Sequence, residues 1–151
     1  MLIRPVTKEE RLQSAQLLTI ESGDLTISAA DDAIHCDYTL QIGAEGTDGP
    51  AISITDCDEG LEAAALHVAS GDIRIRASDD CLNAANSDLS GFDFSMDISG
   101  GTISAYTTDG DGFDSNGSMT ISGGTPPEKP DGGTPPERPD NASEPPEPGN
   151  L

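Results

Sequence analysis

The chain has 151 residues, of which 34% are hydrophobic, 3% aromatic and none Trp; that composition builds one domain around a thin or repetitive core rather than a wide one. Seven Lys and Arg against 28 Asp and Glu leave a net charge of -21, which repels phosphate backbones and anionic lipid and so excludes nucleic acid and bare membrane surfaces as partners. No stretch approaches the roughly 18 apolar residues of a membrane span, and Met1 to Glu10 lacks the apolar run of a signal peptide.

The first element, within residues 1–17, is a short helix: Thr7-Lys8-Glu9-Glu10 reads as a capping box opening a helix to about Leu17, placed to cover one end of the adjoining domain. From 18 to 124 one word recurs, apolar-polar-apolar. It occurs as Leu18-Thr19-Ile20, Leu25-Thr26-Ile27, Leu40-Gln41-Ile42, Ile52-Ser53-Ile54, Leu66-His67-Val68, Ile73-Arg74-Ile75, Met96-Asp97-Ile98, Ile103-Ser104-Ala105 and Met119-Thr120-Ile121. Each is a short period-two strand. Three pairs of these triplets are joined by the same four-residue corner with glycine in the middle: Glu21-Ser22-Gly23-Asp24, Ala69-Ser70-Gly71-Asp72 and Ser99-Gly100-Gly101-Thr102. Strands this short are buried best by winding into coils that stack on their neighbours.

A second word sets the register. Asp32-Ala33-Ile34-His35-Cys36, Glu59-Gly60-Leu61-Glu62-Ala63, Asp80-Cys81-Leu82-Asn83-Ala84 and Asp111-Gly112-Phe113-Asp114-Ser115 all read acid, small, large apolar, polar, small. Coil starts at Leu25, Ile52, Ile73 and Ile103 are then 27, 21 and 30 residues apart, the excess falling in loops at Gly43 to Pro50 and Asn86 to Phe94. The predicted fold is all-β: a right-handed parallel β-helix of about four coils, each with three faces. Gly60 and Gly112 are read as tight corners of positive φ. Cys36, Cys57 and Cys81 read as small packing residues. The segment 125–151 holds nine of the eleven prolines and repeats Gly-Gly-Thr-Pro-Pro-Glu, which predicts an extended, disordered tail.

The corners carry the candidate chemistry. Asp31-Asp32, Asp58-Glu59 and Asp79-Asp80 put two carboxylates at the same corner of three successive coils. Coils stack about 4.8 Å apart, and bare carboxylates at that spacing repel. Calcium bonds oxygen at about 2.3–2.6 Å, so one ion spans two oxygens about 4.6–5.2 Å apart, which matches the stacking distance. Asp31, Asp32, Asp58, Glu59, Asp79 and Asp80 are therefore the predicted calcium ligands, with Glu62 and Asn83 as outward-pointing helpers. Asp109, Asp111 and Asp114 form a further acidic set in the fourth coil, whose acid comes one residue later than in the others. Transition metals are disfavoured because the column offers oxygen, with His35 the single nitrogen; His35 and His67 read as surface residues.

Two strings, Ser22 to His35 and Asp109 to Ile121, resemble the bacterial carbohydrate-binding domain family, and the likeness extends over residues 18–124. The resemblance implies a polysaccharide-lyase-like parallel β-helix that holds calcium, binds cellulose or acidic sugars, and works outside the cell or on its surface. A lyase of this kind needs a base, usually Arg or Lys, and only Arg74 and Arg76 stand between residues 18 and 125; both are outward on one strand and are read as sugar-contacting residues, so the chain is expected to bind polysaccharide rather than cleave it. The alternatives are a structural or adhesive solenoid in which calcium is only a staple and, less favoured, a calcium-dependent polysaccharide lyase that would depend on Arg74; open solenoid ends would let copies associate end to end.

Overall fold

The computed structural model describes residues 12–14 and 16–124. Twelve strands follow one another: β1 (Leu12–Ser14), β2 (Leu17–Ile20), β3 (Asp24–Ser28), β4 (Ile34–Ile42), β5 (Ala51–Asp56), β6 (Leu61–Val68), β7 (Asp72–Ala77), β8 (Leu82–Ala84), β9 (Ser95–Ile98), β10 (Thr102–Thr107), β11 (Phe113–Ser115) and β12 (Ser118–Ile121). All pairings are parallel, and the chain winds as a β-solenoid of about four turns.

One face is the sheet β3-β5-β7-β10. A middle face stacks β1, the first half of β4, the first half of β6, β8 and β11, and a third stacks β2, the second halves of β4 and β6, β9 and β12. The long strands β4 and β6 turn from the middle face to the third, and their pairing slips between Cys36 and Thr39, where the turn is made. The two repeated words occupy equivalent places in successive coils: Leu25, Ile52, Ile73 and Ile103 share one register, as do Ile34, Leu61, Leu82 and Phe113, and Leu18, Leu40, Leu66, Met96 and Met119. The core is a bundle of such apolar columns, with Ile34, Leu40, Leu61, Leu66, Ile73, Leu82 and Met96 fully buried. It is one side chain thick from each face, which is how a chain with so few aromatics buries its apolar residues.

The repeated corner needs its glycine: Gly23, Gly71 and Gly101 have φ of 104°, 123° and 86°, a region closed to residues with a Cβ. Gly60 does not fit the corner reading, since neither it nor Gly112 has positive φ. Close approach explains Gly60 instead: a Cβ there would lie 2.3 Å from the Cys81 carbonyl oxygen and 2.6 Å from Ile75 Cγ2. The three cysteines are free and buried; burial pushes the Cys57 thiol up to about 12 and raises that of Cys81, so both stay as inert thiols.

The N-terminal segment departs from expectation where it is described. Leu12–Ser14 is a strand paired with Ile34, His35 and Cys36 of β4, and Leu17 begins β2; the open edge of β4 offers unpaired backbone groups that a parallel strand satisfies and a helix cannot. The rest of the predicted helix, Thr7 to Arg11 and Ala15, and the tail 125–151 lie outside the described residues. Among the described residues no helix is long and apolar enough to cross a membrane.

Candidate functional site

The acidic corner lies between the β3-β5-β7-β10 face and the middle face, and its backbone is stacked coil on coil. Asp58 N donates to the Asp31 carbonyl and Asp79 N to the Asp58 carbonyl, while Ala33 N donates to Glu59, Gly60 N to Asp80 and Cys81 N to Asp111. The corner therefore carries two parallel columns. The outer one is Asp31, Asp58 and Asp79, over which Gly110 follows, with Asp109 one step back and bonded to Ser78; the inner one is Asp32, Glu59, Asp80 and Asp111. The late acid of the fourth coil is accommodated by Gly110, whose Cβ would lie 2.5 Å from the Asp79 carbonyl carbon and 2.7 Å from Asp80 N.

The outer column is exposed. Asp58 accepts a hydrogen bond from Ser78 Oγ at 2.7 Å, and Thr108 Oγ1 donates to Asp109 at 3.3 Å. Asp80 is tied to its neighbour coil by the Asp111 amide at 2.7 Å. The charges of Asp80, Asp58, Asp109 and Asp111 raise the pKa of the Asp79 carboxyl. This is the signature of carboxylates held together without enough positive charge, in a column whose donors are all oxygen, and it fits a hard divalent cation of the calcium kind.

The inner column behaves differently because it leans over the middle face. There His35, Glu62, Asn83 and Asp114 occupy one outward register on β4, β6, β8 and β11. Outward is not exposed: Asn83 is 7% accessible, and the His35, Asp32 and Glu62 side chains are 14%, 13% and 17% accessible. Glu62 and Asn83 are thus recessed rather than solvent-facing helpers, and His35 is no plain surface residue. Its Nδ1 stands 3.3 Å from Asp32 Oδ2 and 3.0 Å from Glu62 Oε1, and its Nε2 3.0 Å from Asp37 Oδ1. The carboxylates of Asp32, then Glu62 and Asp37, drive its pKa up to about 10 despite burial. Beside it, burial and the neighbouring Glu62 raise Glu59 to about 8, opposed by a hydrogen bond from Asn83. His67, by contrast, is a third exposed with Asp97 3.4 Å away.

The structure thus splits the predicted calcium set: Asp58 and Asp79 stay on the outer ridge with Asp31, while Asp32 and Glu59 join His35, Glu62 and Asn83 in the recess. Asp114 lies in register beyond Asn83 and is half-buried. Asp37 is the residue that sequence reasoning passed over, and His35 is the one it weighed as a nitrogen ligand and read as surface. The signal was the fourth letter of the second word, since His, Glu, Asn and Asp must stack once the words are aligned.

Arg74 and Arg76 are both exposed on β7. Arg74 Nη2 pairs with Asp72 Oδ2 at 3.2 Å, and the Arg76 guanidinium lies 4.8 Å from the centroid of the Tyr106 ring. Next to Arg74 is an open groove of about 270 Å³ lined by Asp24, Thr26, Ala51, Ser53 and Asp72. Its floor is the flat sheet, and its small residues leave the space.

No family model, curated protein or solved structure matches the chain, so the resemblance rests on its own strings and the function is argued from this geometry.

Proposed function

We propose that the protein is a calcium-stapled, right-handed β-helical module that binds a polysaccharide along the β3-β5-β7-β10 face, outside the cell or on its surface, and carries no catalytic residues. The observation that carries the reading is the groove beside Arg74. It is lined by Ala51 and Ser53 on the central strand β5, by Asp24 and Thr26 on β3 and by Asp72 and Arg74 on β7. Carboxylates and hydroxyls can accept from and donate to sugar hydroxyls, and Arg74 presents a planar fork suited to a uronate carboxylate. Tyr106, 55% exposed and braced by Arg76, adds an aromatic surface further along the same face.

Calcium on the outer column Asp31, Asp58 and Asp79, with Asp109 beside it, would neutralise the ridge and tie coils together, which would let so anionic a molecule approach an acidic polymer. Both arginines are engaged, Arg74 by Asp72 and Arg76 by Tyr106, which supports binding over cleavage. The test is affinity electrophoresis in gels containing polygalacturonate or soluble cellulose derivatives, with calcium and with EDTA. Retention in calcium that EDTA removes and that Arg74→Ala weakens about tenfold supports the reading. Free migration through every glycan gel in calcium ends it.

The exposed end of the solenoid favours a second reading, an assembling structural solenoid. Met119 and Ile121 on β12 are 41% and 60% accessible and continue columns whose members on β4, β6 and β9 are buried. In that case sedimentation would show end-to-end association, and sugars would leave the melting temperature unmoved at saturating calcium.

A further inference from the structure

The recess on the middle face has the makings of a second, chemically different cation site. Three potential ligand atoms, one each from Asp32, His35 and Glu62, lie within 4.8 Å of one another. The His35 Nδ1 distances of 3.3 Å to Asp32 and 3.0 Å to Glu62 are close to the edges of a coordination polyhedron with bonds of about 2.0–2.2 Å. The other ring nitrogen, Nε2, is 3.0 Å from Asp37 Oδ1. A carboxylate there takes the Nε2 proton and leaves the Nδ1 lone pair for a metal, which is how protein imidazoles are generally oriented at metal centres.

A separate observation points to a missing positive partner. Asn83 is register neighbour to Glu62 and hydrogen-bonds Glu59. It is 7% accessible, and its Oδ1 is buried with no hydrogen-bond partner; Glu59 Oε2 is in the same state. Asn83 Oδ1 is an acceptor, and a buried acceptor left unmet costs on the order of 1–3 kcal/mol. His35 Nδ1 is likewise buried with no hydrogen-bond partner, although Asp32 and Glu62 lie 3.3 and 3.0 Å away. A metal ion between Asp32, His35 and Glu62 would supply the positive partner that this nitrogen lacks.

We propose that Asp32, His35 and Glu62, with Asp37 orienting the imidazole, form a site for a zinc-class divalent cation, separate from the calcium ridge and bordered by Asn83. The imidazole nitrogen selects against calcium and magnesium, which take oxygen. This reverses the expectation that the corner holds only hard cations, and it stands whether or not the protein binds sugar.

The test is calorimetric titration of the EDTA-stripped full chain with Zn²⁺ in excess Ca²⁺, together with the visible absorption of the Co²⁺ form. One zinc per chain that calcium does not displace, and a cobalt spectrum of low-coordinate nitrogen-oxygen ligation, are expected. His35→Gln and Glu62→Gln should each weaken zinc about 10- to 100-fold, while Asp79→Asn leaves it unchanged. Absence of zinc binding, displacement by calcium, or unaltered affinity in His35→Gln overturns the proposal. Should His35→Gln fail to fold, the ¹⁵N shift of the His35 Nδ1 in the wild-type chain decides: movement with Zn²⁺ but not Ca²⁺ supports the site, and no movement with Zn²⁺ refutes it.

Discussion

Asp58 and Asp79 sit immediately before Glu59 and Asp80 in the chain, at the same corner of the same coils, yet the two columns they begin have different chemistry. The outer carboxylates face solvent and one another, and their electrostatics are those of a crowded surface, where water and salt absorb most of the repulsion. One residue further on, the chain has turned toward the middle face, and Asp32 and Glu59 meet the half-buried His35, Glu62 and Asn83. There the same charge is poorly solvated, so each group is either paired or pushed toward its neutral form. In a solenoid a step of one residue at a corner is therefore a step in dielectric, and two acids in a row are not two copies of one ligand.

The sharpest way to break that contrast is to remove the imidazole. In EDTA, His35→Ala strands the carboxylates of Asp32, Glu62 and Asp37 around the space it filled and should cost about 3 kcal/mol, the lower end for breaking a buried ion pair. Urea denaturation would register this as a lowered midpoint, whereas Asp58→Asn on the outer column should shift the midpoint only slightly. Equal losses would mean that the two columns share one environment. Calcium tests the contrast from the other side. At a hundredfold excess over its Kd a single ion adds about 2.7 kcal/mol, and this gain should survive His35→Gln but disappear in the Asp58→Asn/Asp79→Asn double variant, as read by the melting temperature.

The inner column also sets the pH response of the metal-free protein. The Glu59 carboxyl rises from 4.5 to about 8 and His35 from 6.5 to about 10 on folding. Both shifts are upward, so the folded chain holds these protons more tightly than the unfolded one. The resulting stabilisation is complete below each unfolded value and is lost as the pH climbs through the folded value. Stability in EDTA should therefore fall from about pH 5 to pH 10, the reverse of ordinary acid denaturation, and Glu59→Gln should flatten the lower part of that slope. A midpoint that rises with pH across this range would contradict the assignment.

Most of the fold is legible in the chain because a solenoid writes its register as repetition. Leu25, Ile52, Ile73 and Ile103 stack because each opens the same word, and the backbone ladder leaves no freedom to slip without exposing every apolar column. The two acid columns follow from the same alignment. The recess does not, because periodicity says that His35 points away from the core but not whether that outward position is solvated. Nor does the strand at Leu12–Ser14, where the capping-box signal is local and the open edge of β4 is not. Gly60 shows the same divide: the sequence marks a special position, but the reason is the Cys81 carbonyl of the next coil, a contact 21 residues away.

The smallest effect tests the outer column alone. Asp79 is exposed, and its carboxyl is raised first by Asp80 and then by Asp58, Asp109 and Asp111, so at neutral pH it adds more repulsion than attraction. Asp79→Asn keeps the shape and removes the charge. In EDTA and low salt it should raise the melting temperature slightly, and the gain should shrink as salt screens the ridge. With calcium present the sign should invert, because a ligand has been lost. A melting temperature that Asp79→Asn lowers equally with and without calcium would show that the ridge is neither repulsive when bare nor a cation site when filled, and would leave the recess as the only metal-binding part of the corner.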